Sequence, residues 1–265
     1  MPNSNQPLPG KEFRPPSRGL PGAPVLIAAI HGILTRQTDP SWPDRLDAWL
    51  YRRDPGLRVL KKEYRAGPFP RWNCWVKDPL LAKGLAAEIE LLLASPAQSP
   101  AAAPAPELWI VAHSNGAVIA LLTTRRLIDR GTRVGGLILT GAACQADLAQ
   151  NGVLDWIRAG QLGWAIAYSS RDDRVLPAGP LPGAGCVAGL RAALWRALTW
   201  PWGSLGRTGW LHHGRAPEPG LAGGERIRTR WFSGGHSAYF DSQHGEPLFE
   251  QLYNDITQPR PLEDL

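Results

Sequence analysis

The stretch "LWIVAHSNGAVIALL", Leu108 to Leu122, runs as a continuous apolar strand pattern, stops at Ser114, and restarts as an apolar helix pattern. A short unbroken apolar run of this kind fits a strand buried on both faces, as parallel sheets require. A serine at the join of strand and helix can be a simple helix cap. The stretch alone therefore leaves the role of Ser114 open, and the rest of the chain has to decide it.

Upstream, Val25 to Ile30, "VLIAAI", is a second buried-strand pattern, ending at His31-Gly32. Asp39 or Ser41 can cap a helix carrying Leu46, Trp49 and Leu50 at helical spacing, which Asp54-Pro55-Gly56 stops; Leu57 to Tyr64 reads as a strand. Pro79 to Ala94 predicts a helix, and the Pro/Ala/Ser stretch from Ser95 to Pro106 a connector. Strand Leu108 to Ala112, helix Asn115 to Arg130, strand Val134 to Thr140, a helix near Leu148 to Arg158 and strand Trp164 to Ser169 follow. The pattern closes with strand Ile227 to Phe232 and helix Glu246 to Thr257. Strands alternating with helices predict an α/β three-layer sandwich, with a mostly parallel sheet of about six strands.

At 265 residues and 43% hydrophobic content, one large domain is expected over residues 25–265. Residues 1–24, broken by proline and glycine, read as a flexible or extended arm. They lack the apolar segment of a secretory signal, and no apolar run is long enough for a membrane span. The formal charge of +6 is spread over scattered residues, mostly arginine, which fits a solvated surface better than a nucleic-acid or anionic partner. Cys74, Cys144 and Cys186 have neither disulfide nor zinc spacing, and reduced thiols fit a cytoplasmic setting. Residues 177–224 form an insertion rich in Trp, Gly and Pro, with a possible helix from Val187 to Trp200. Its tryptophans, among them Trp195, Trp200, Trp202 and Trp210, suit either a substrate-facing cap or packing onto the core. The glycines in "WPWGSLGRTGW" favour a fixed turn over a membrane-inserting helix.

In a parallel sheet, ligands bind beyond the carboxyl ends of the strands. The residues just after each strand are His31-Gly32, Ser114, the pair Asp172 and Asp173, and His236. A serine hydroxyl becomes a useful nucleophile when an imidazole takes its proton and a carboxylate holds that imidazole. Ala112-His113-Ser114-Asn115-Gly116 also matches G-x-S-x-G with alanine first, a turn so tight that flanking side chains crowd one another.

With "AAIHGILT", "VAHSNGAV", "SSRDDRVLP" and "SGGHSAYF", the chain resembles the α/β-hydrolase fold superfamily, specifically its small serine esterase and lipase-like members. The resemblance spans roughly Val25 to Thr257 and implies a sheet lacking the family's first two strands. It implies Ser114 as nucleophile and His236 as general base, with backbone N–H groups of Ile33 and Asn115 as oxyanion donors and Gly32 giving the chain room to turn. His31 is then structural. "DRVLP" resembles the family's acid loop and selects Asp173, with Val175-Leu176 anchoring the loop and Asp172 turned away toward Arg171 or Arg174. Asp147 is an outside candidate for the acid and His244 a rival base, while His212-His213 reads as a surface loop.

The implied activity is hydrolysis of a small-molecule carboxylic ester through an acyl-enzyme, with no cofactor or metal. Thioester or amide substrates, or a catalytically silent binding protein of the same fold, are the alternatives.

Overall fold

The computed structural model describes residues 24–32, 40–64, 73–94, 106–176, 203–241 and 245–259. The expected Val187–Trp200 helix, the candidate oxyanion donor Ile33 and the rival base His244 lie outside them.

Strands β1 (Val25–Ile30), β2 (Leu57–Lys62), β3 (Glu107–His113), β4 (Val134–Thr140), β5 (Leu162–Ser169) and β6 (Ile227–Trp231) form one sheet. Its order is β2-β1-β3-β4-β5-β6, and every pair is parallel. The expected three-layer α/β architecture is the observed one. The unbroken apolar runs lie in the middle: all six residues of β1 and all seven of β4 are buried. The mixed sequence of β2 lies at an edge, where only Leu57 is buried and the other residues are half-buried or exposed. The chain builds outward from β1 to β2, then crosses back to lay β3 on the other side of β1. The crevice at the carboxyl ends of β1 and β3 is thus the switch point where such folds bind ligands.

Alternate side chains of the sheet divide the core in two. Leu26, Ala28, Ile30, Leu108, Ile110 and Ala112 meet helices α2 (Asp78–Ala94), through Leu85 and Ile89, and α3 (Gly116–Asp129), through Ile119 and Leu127. On the opposite face, Ile27, Val111, Ile138 and Ile166 meet α1 (Trp42–Arg53), through Leu46 and Leu50, and the last helix, Gly245–Thr257, through Leu248, Leu252 and Ile256. Each fully buried aliphatic side chain contributes about 1.5–3 kcal/mol. Of the two caps expected for α1, Ser41 is the one used. It forms a reciprocal capping box with Asp44, a feature worth about 1 kcal/mol.

The structure corrects several boundaries by one or two residues, among them the start of β5, at Leu162 rather than Trp164, and it splits one helix. The helix expected near Leu148 to Arg158 is two short helices, α4 (Leu148–Asn151) and α5 (Val153–Arg158), because Gly152 adopts φ 81° and breaks the run. Strand β2 ends at Lys62, two residues before Tyr64. After the insertion comes α6 (Leu205–Thr208), which makes Gly245–Thr257 helix α7.

A polar cluster fastens α7 to the sheet. The Tyr168 hydroxyl donates to Asp255 Oδ2 at 2.6 Å, and Arg230 grips both carboxylate oxygens of Asp255. Burial and the neighbouring carboxylate hold the Tyr168 phenol well above its usual pKa, so it keeps the proton it donates. Arg228 adds a stacked contact, its guanidinium 4.7 Å from the Trp164 ring. Removing one partner of such a buried set leaves charge uncompensated. Asp255→Ala should therefore destabilise the fold by about 3 kcal/mol in chemical denaturation. A loss below about 1 kcal/mol would show that the cluster is solvated and weak.

Candidate active site

Ser114 follows the last residue of β3 and precedes α3, and its backbone sits at φ 54°, in the left-handed region. That conformation costs a non-glycine residue roughly 1–2 kcal/mol, and here the surroundings enforce it. The Ser114 N–H donates to the carbonyl of Thr140 at 3.1 Å; its own carbonyl accepts from Ala117 at 3.1 Å and Ala143 at 3.0 Å. The turn is thereby fastened to the end of β4, to the loop beyond it and to the first turn of α3.

Small residues are needed around it for a reason that sequence alone misplaced. A Cβ on Gly116 would lie 2.6 Å from the carbonyl oxygen of His31 and 2.8 Å from that of Ile30. The crowding therefore comes from the end of β1. Gly32 is the reciprocal case: a Cβ there would stand 2.7 Å from Ser114 Cβ. Two glycines let the ends of β1 and β3 close on each other at the crevice.

The structure brings Ser114, His236 and Asp173 into one hydrogen-bonded line. His236 Nε2 lies 2.8 Å from Ser114 Oγ, and His236 Nδ1 lies 2.7 Å from Asp173 Oδ2. All three residues are buried, Asp173 completely. A carboxylate can only accept, so it holds the imidazole proton on Nδ1 and leaves Nε2 to take the proton of the serine hydroxyl.

Asp173 is oriented from its other oxygen: Oδ1 accepts the N–H groups of Val175 at 3.1 Å and Leu176 at 3.2 Å. Of the expected apolar anchor only Leu176 is buried, while Val175 is 38% exposed, so one residue seats the loop. Asp172 points into solvent, and the Arg171 guanidinium lies 4.8 Å from the Trp231 ring. Asp147 accepts backbone N–H groups of Ala149, His213 and Gly214, which makes it a cap for α4 and a fastening for the His212-His213 loop.

Strands β3, β5 and β6 carry the serine, the carboxylate and the imidazole just past their carboxyl ends, in a sheet whose order reverses beside the serine. The three-layer fold is α/β-hydrolase-like. No known family model matches the chain, and no curated protein matches it in sequence. Among solved structures it is similar to the Pyrococcus furiosus esterase Pf2001, with 12% identity over 89% of this chain and 84% of that one, TM-score 0.46. The type II thioesterase BorB of the borrelidin biosynthetic cluster has 13% identity over 89% and 94% of the two chains, TM-score 0.47. Human thioesterase 2 has 10% identity over 92% and 100%, TM-score 0.44.

Several residues around this hydrolase-fold site were not legible as its parts. The Asn115 side-chain amide donates to Asp78 Oδ2 at 3.0 Å and to the Tyr64 hydroxyl at 3.1 Å, joining the serine turn to α2 and to the chain just after β2. Ser170 Oγ donates to the carbonyl of Gly234 at 2.6 Å, joining the loops of Asp173 and His236. His113 Nε2 lies 3.0 Å from the carbonyl oxygen of His236. Nothing local in the sequence marks these partners, which are 37 to 123 positions apart. His31, expected to be structural, sits at the end of β1 with Nδ1 2.8 Å from the carbonyl oxygen of Gly32. Among the described residues, no group of three or more His, Cys, Asp or Glu side chains is arranged to hold a metal, and no helix is long and apolar enough to cross a membrane.

Burial pushes the His113 imidazole down to about 3, with nearby His236 adding to the shift. The folded protein thus binds this proton less readily than the unfolded chain, where the imidazole titrates near 6.5. Stability attributable to the neutral ring is complete above the unfolded value and declines as pH falls through this window, by up to about 1.4 kcal/mol per pH unit. Urea unfolding of wild type and His113→Gln should show wild type losing about 2 kcal/mol more than the variant between pH 7 and pH 5. Parallel pH profiles would mean that the ring is solvated.

Proposed function

We propose that the protein is a serine hydrolase that cleaves a small-molecule carboxylic ester through an acyl-enzyme intermediate. The hydrogen-bonded line Ser114–His236–Asp173, built on a serine held at positive φ, carries this reading. A core serine with no chemical duty would gain nothing from a strained backbone and a buried imidazole-carboxylate pair.

In the proposed reaction Ser114 Oγ attacks the ester carbonyl as His236 Nε2 takes the hydroxyl proton. The oxygen of the tetrahedral intermediate is received by the Asn115 N–H, with the Ile33 N–H as the expected second donor. His236 returns its proton to the departing alcohol, leaving the acyl group on Ser114. Water then attacks the acyl carbonyl and gives a proton to His236, which passes it to Ser114 Oγ as the acyl–oxygen bond breaks and the carboxylic acid leaves. Asp173 stays ionised throughout, holding the imidazole in its working tautomer and stabilising its charged form.

Proton removal and attack belong to one step. Ser114→Ala and His236→Ala should each lower turnover of a nitrophenyl ester by about 10⁴-fold or more, and the double variant should be little worse. Additive losses would contradict a shared step. A fluorophosphonate should label wild type and spare Ser114→Ala; an unlabelled, folded wild type would overturn the hydrolase reading. Nitrophenyl esters from acetyl to palmitoyl, with an acyl thioester alongside, test the ester assignment, and preferential turnover of the thioester would replace it.

Asp173→Asn should cost about 10⁴-fold, because asparagine favours the wrong imidazole tautomer. Asp172→Asn and Asp147→Asn, whose carboxylates lie away from His236, should stay within about tenfold of wild type. A severe loss confined to either of those two would reassign the acid.

A further inference from the structure

His113 is the last residue of β3, and the next residue is the serine. Its Nε2 lies 3.0 Å from the His236 carbonyl oxygen, while His236 Nε2 lies 2.8 Å from Ser114 Oγ. The two contacts close a ring: from Ser114 through the peptide bond to His113, across to the His236 backbone, out along the imidazole and back to the serine. The base is therefore fastened to the nucleophile's own strand at two points.

We propose that His113 is a positioning residue, holding the His236 backbone so that its imidazole stays in line with Ser114. This inference rests on the serine-hydrolase reading above. The loop bearing His236 needs such a fastening, since it contains Gly234 at φ 130° and Gly235, and glycine gives a chain the most conformational freedom to lose. His113 is suited to provide it. Its backbone is paired with Thr140 in the sheet, and its ring is held edge-on to Phe240 at 5.3 Å and tilted against Tyr239 at 6.0 Å.

A carbonyl oxygen can only accept, so His113 carries its proton on Nε2 and donates. Among the described residues the buried Nδ1 has no hydrogen-bond partner, so the Nε2 contact is the one polar contact that fixes the ring. Because burial keeps the ring neutral, it donates without placing a second positive charge beside His236 when that imidazole takes the serine proton. A misplacement of about 1 Å at a reacting group can cost on the order of 10²-fold in rate.

A histidine that only packed would be replaced equally well by any side chain of its size. The experiment therefore compares His113→Gln, which can place an N–H near the Nε2 position, with His113→Met, which has similar reach and no donor. Each is checked for folding by circular dichroism. His113→Met should lose about thirtyfold in kcat with KM within about twofold, whereas His113→Gln should stay within about fivefold of wild type. Hydrogen exchange of the peptide spanning residues 233–238 should quicken in the Met variant and match wild type in the Gln variant.

Full kcat in His113→Met, equal losses in both variants, or unchanged exchange of that peptide overturns the proposal. If the Met variant does not fold, His113→Asn, polar but too short to reach the carbonyl, takes its place with the same expected losses. If wild type neither hydrolyses esters nor reacts with a fluorophosphonate, the hydrolase reading fails, and the exchange comparison still decides whether His113 fastens the loop.

Discussion

The left-handed turn at Ser114 is the constraint on which the site depends, and it holds only because β1 and β3 end side by side. The backbone strain, roughly 1–2 kcal/mol, is offset by the three backbone hydrogen bonds that the turn makes with Thr140, Ala117 and Ala143. Gly32 and Gly116 remove the atoms that would otherwise separate the two strand ends. A parallel sheet buried on both faces supplies the rigidity, because a small displacement of β1 would drive its terminal carbonyls into α3.

The other two members of the line reach the serine on loops, and loops need fastening. Asp173 is seated by its own Oδ1, which takes two backbone N–H groups and leaves Oδ2 for the imidazole. A fully buried carboxylate is expensive unless its lone pairs are satisfied, and here both oxygens have partners. The His236 loop is tied to the Asp173 loop through Ser170 and to β3 through His113. Each of the two side chains, or the loop that carries it, is thus held by a hydrogen-bonded neighbour.

The same division separates what could be read in the chain from what could not. Val25–Ile30 and Val134–Thr140 announced themselves as central strands, because burial on both faces demands unbroken apolar runs. The α4–α5 break was missed because an isolated glycine inside an amphipathic pattern is compatible with a continuous helix, and only the φ of Gly152 reveals the break. The requirement for a small residue at position 116 was legible, but its cause was not: the crowding atoms are the carbonyl oxygens of Ile30 and His31, at the end of β1, far upstream in the chain.

By itself the sequence determined the three-layer α/β class, the approximate place of the six strands and the longer helices, and a short list of candidate side chains past the strand ends. Those features follow from local periodicity, turn chemistry and the known geometry of parallel sheets. Tertiary structure decided which of Asp172, Asp173 and Asp147 faces the imidazole, that Asn115 is fastened to Asp78 and Tyr64, and that His113 grips the carbonyl of His236. Hydrogen bonds between residues far apart in the chain leave no period and no motif, and they exist only once the sheet has set the strand ends together.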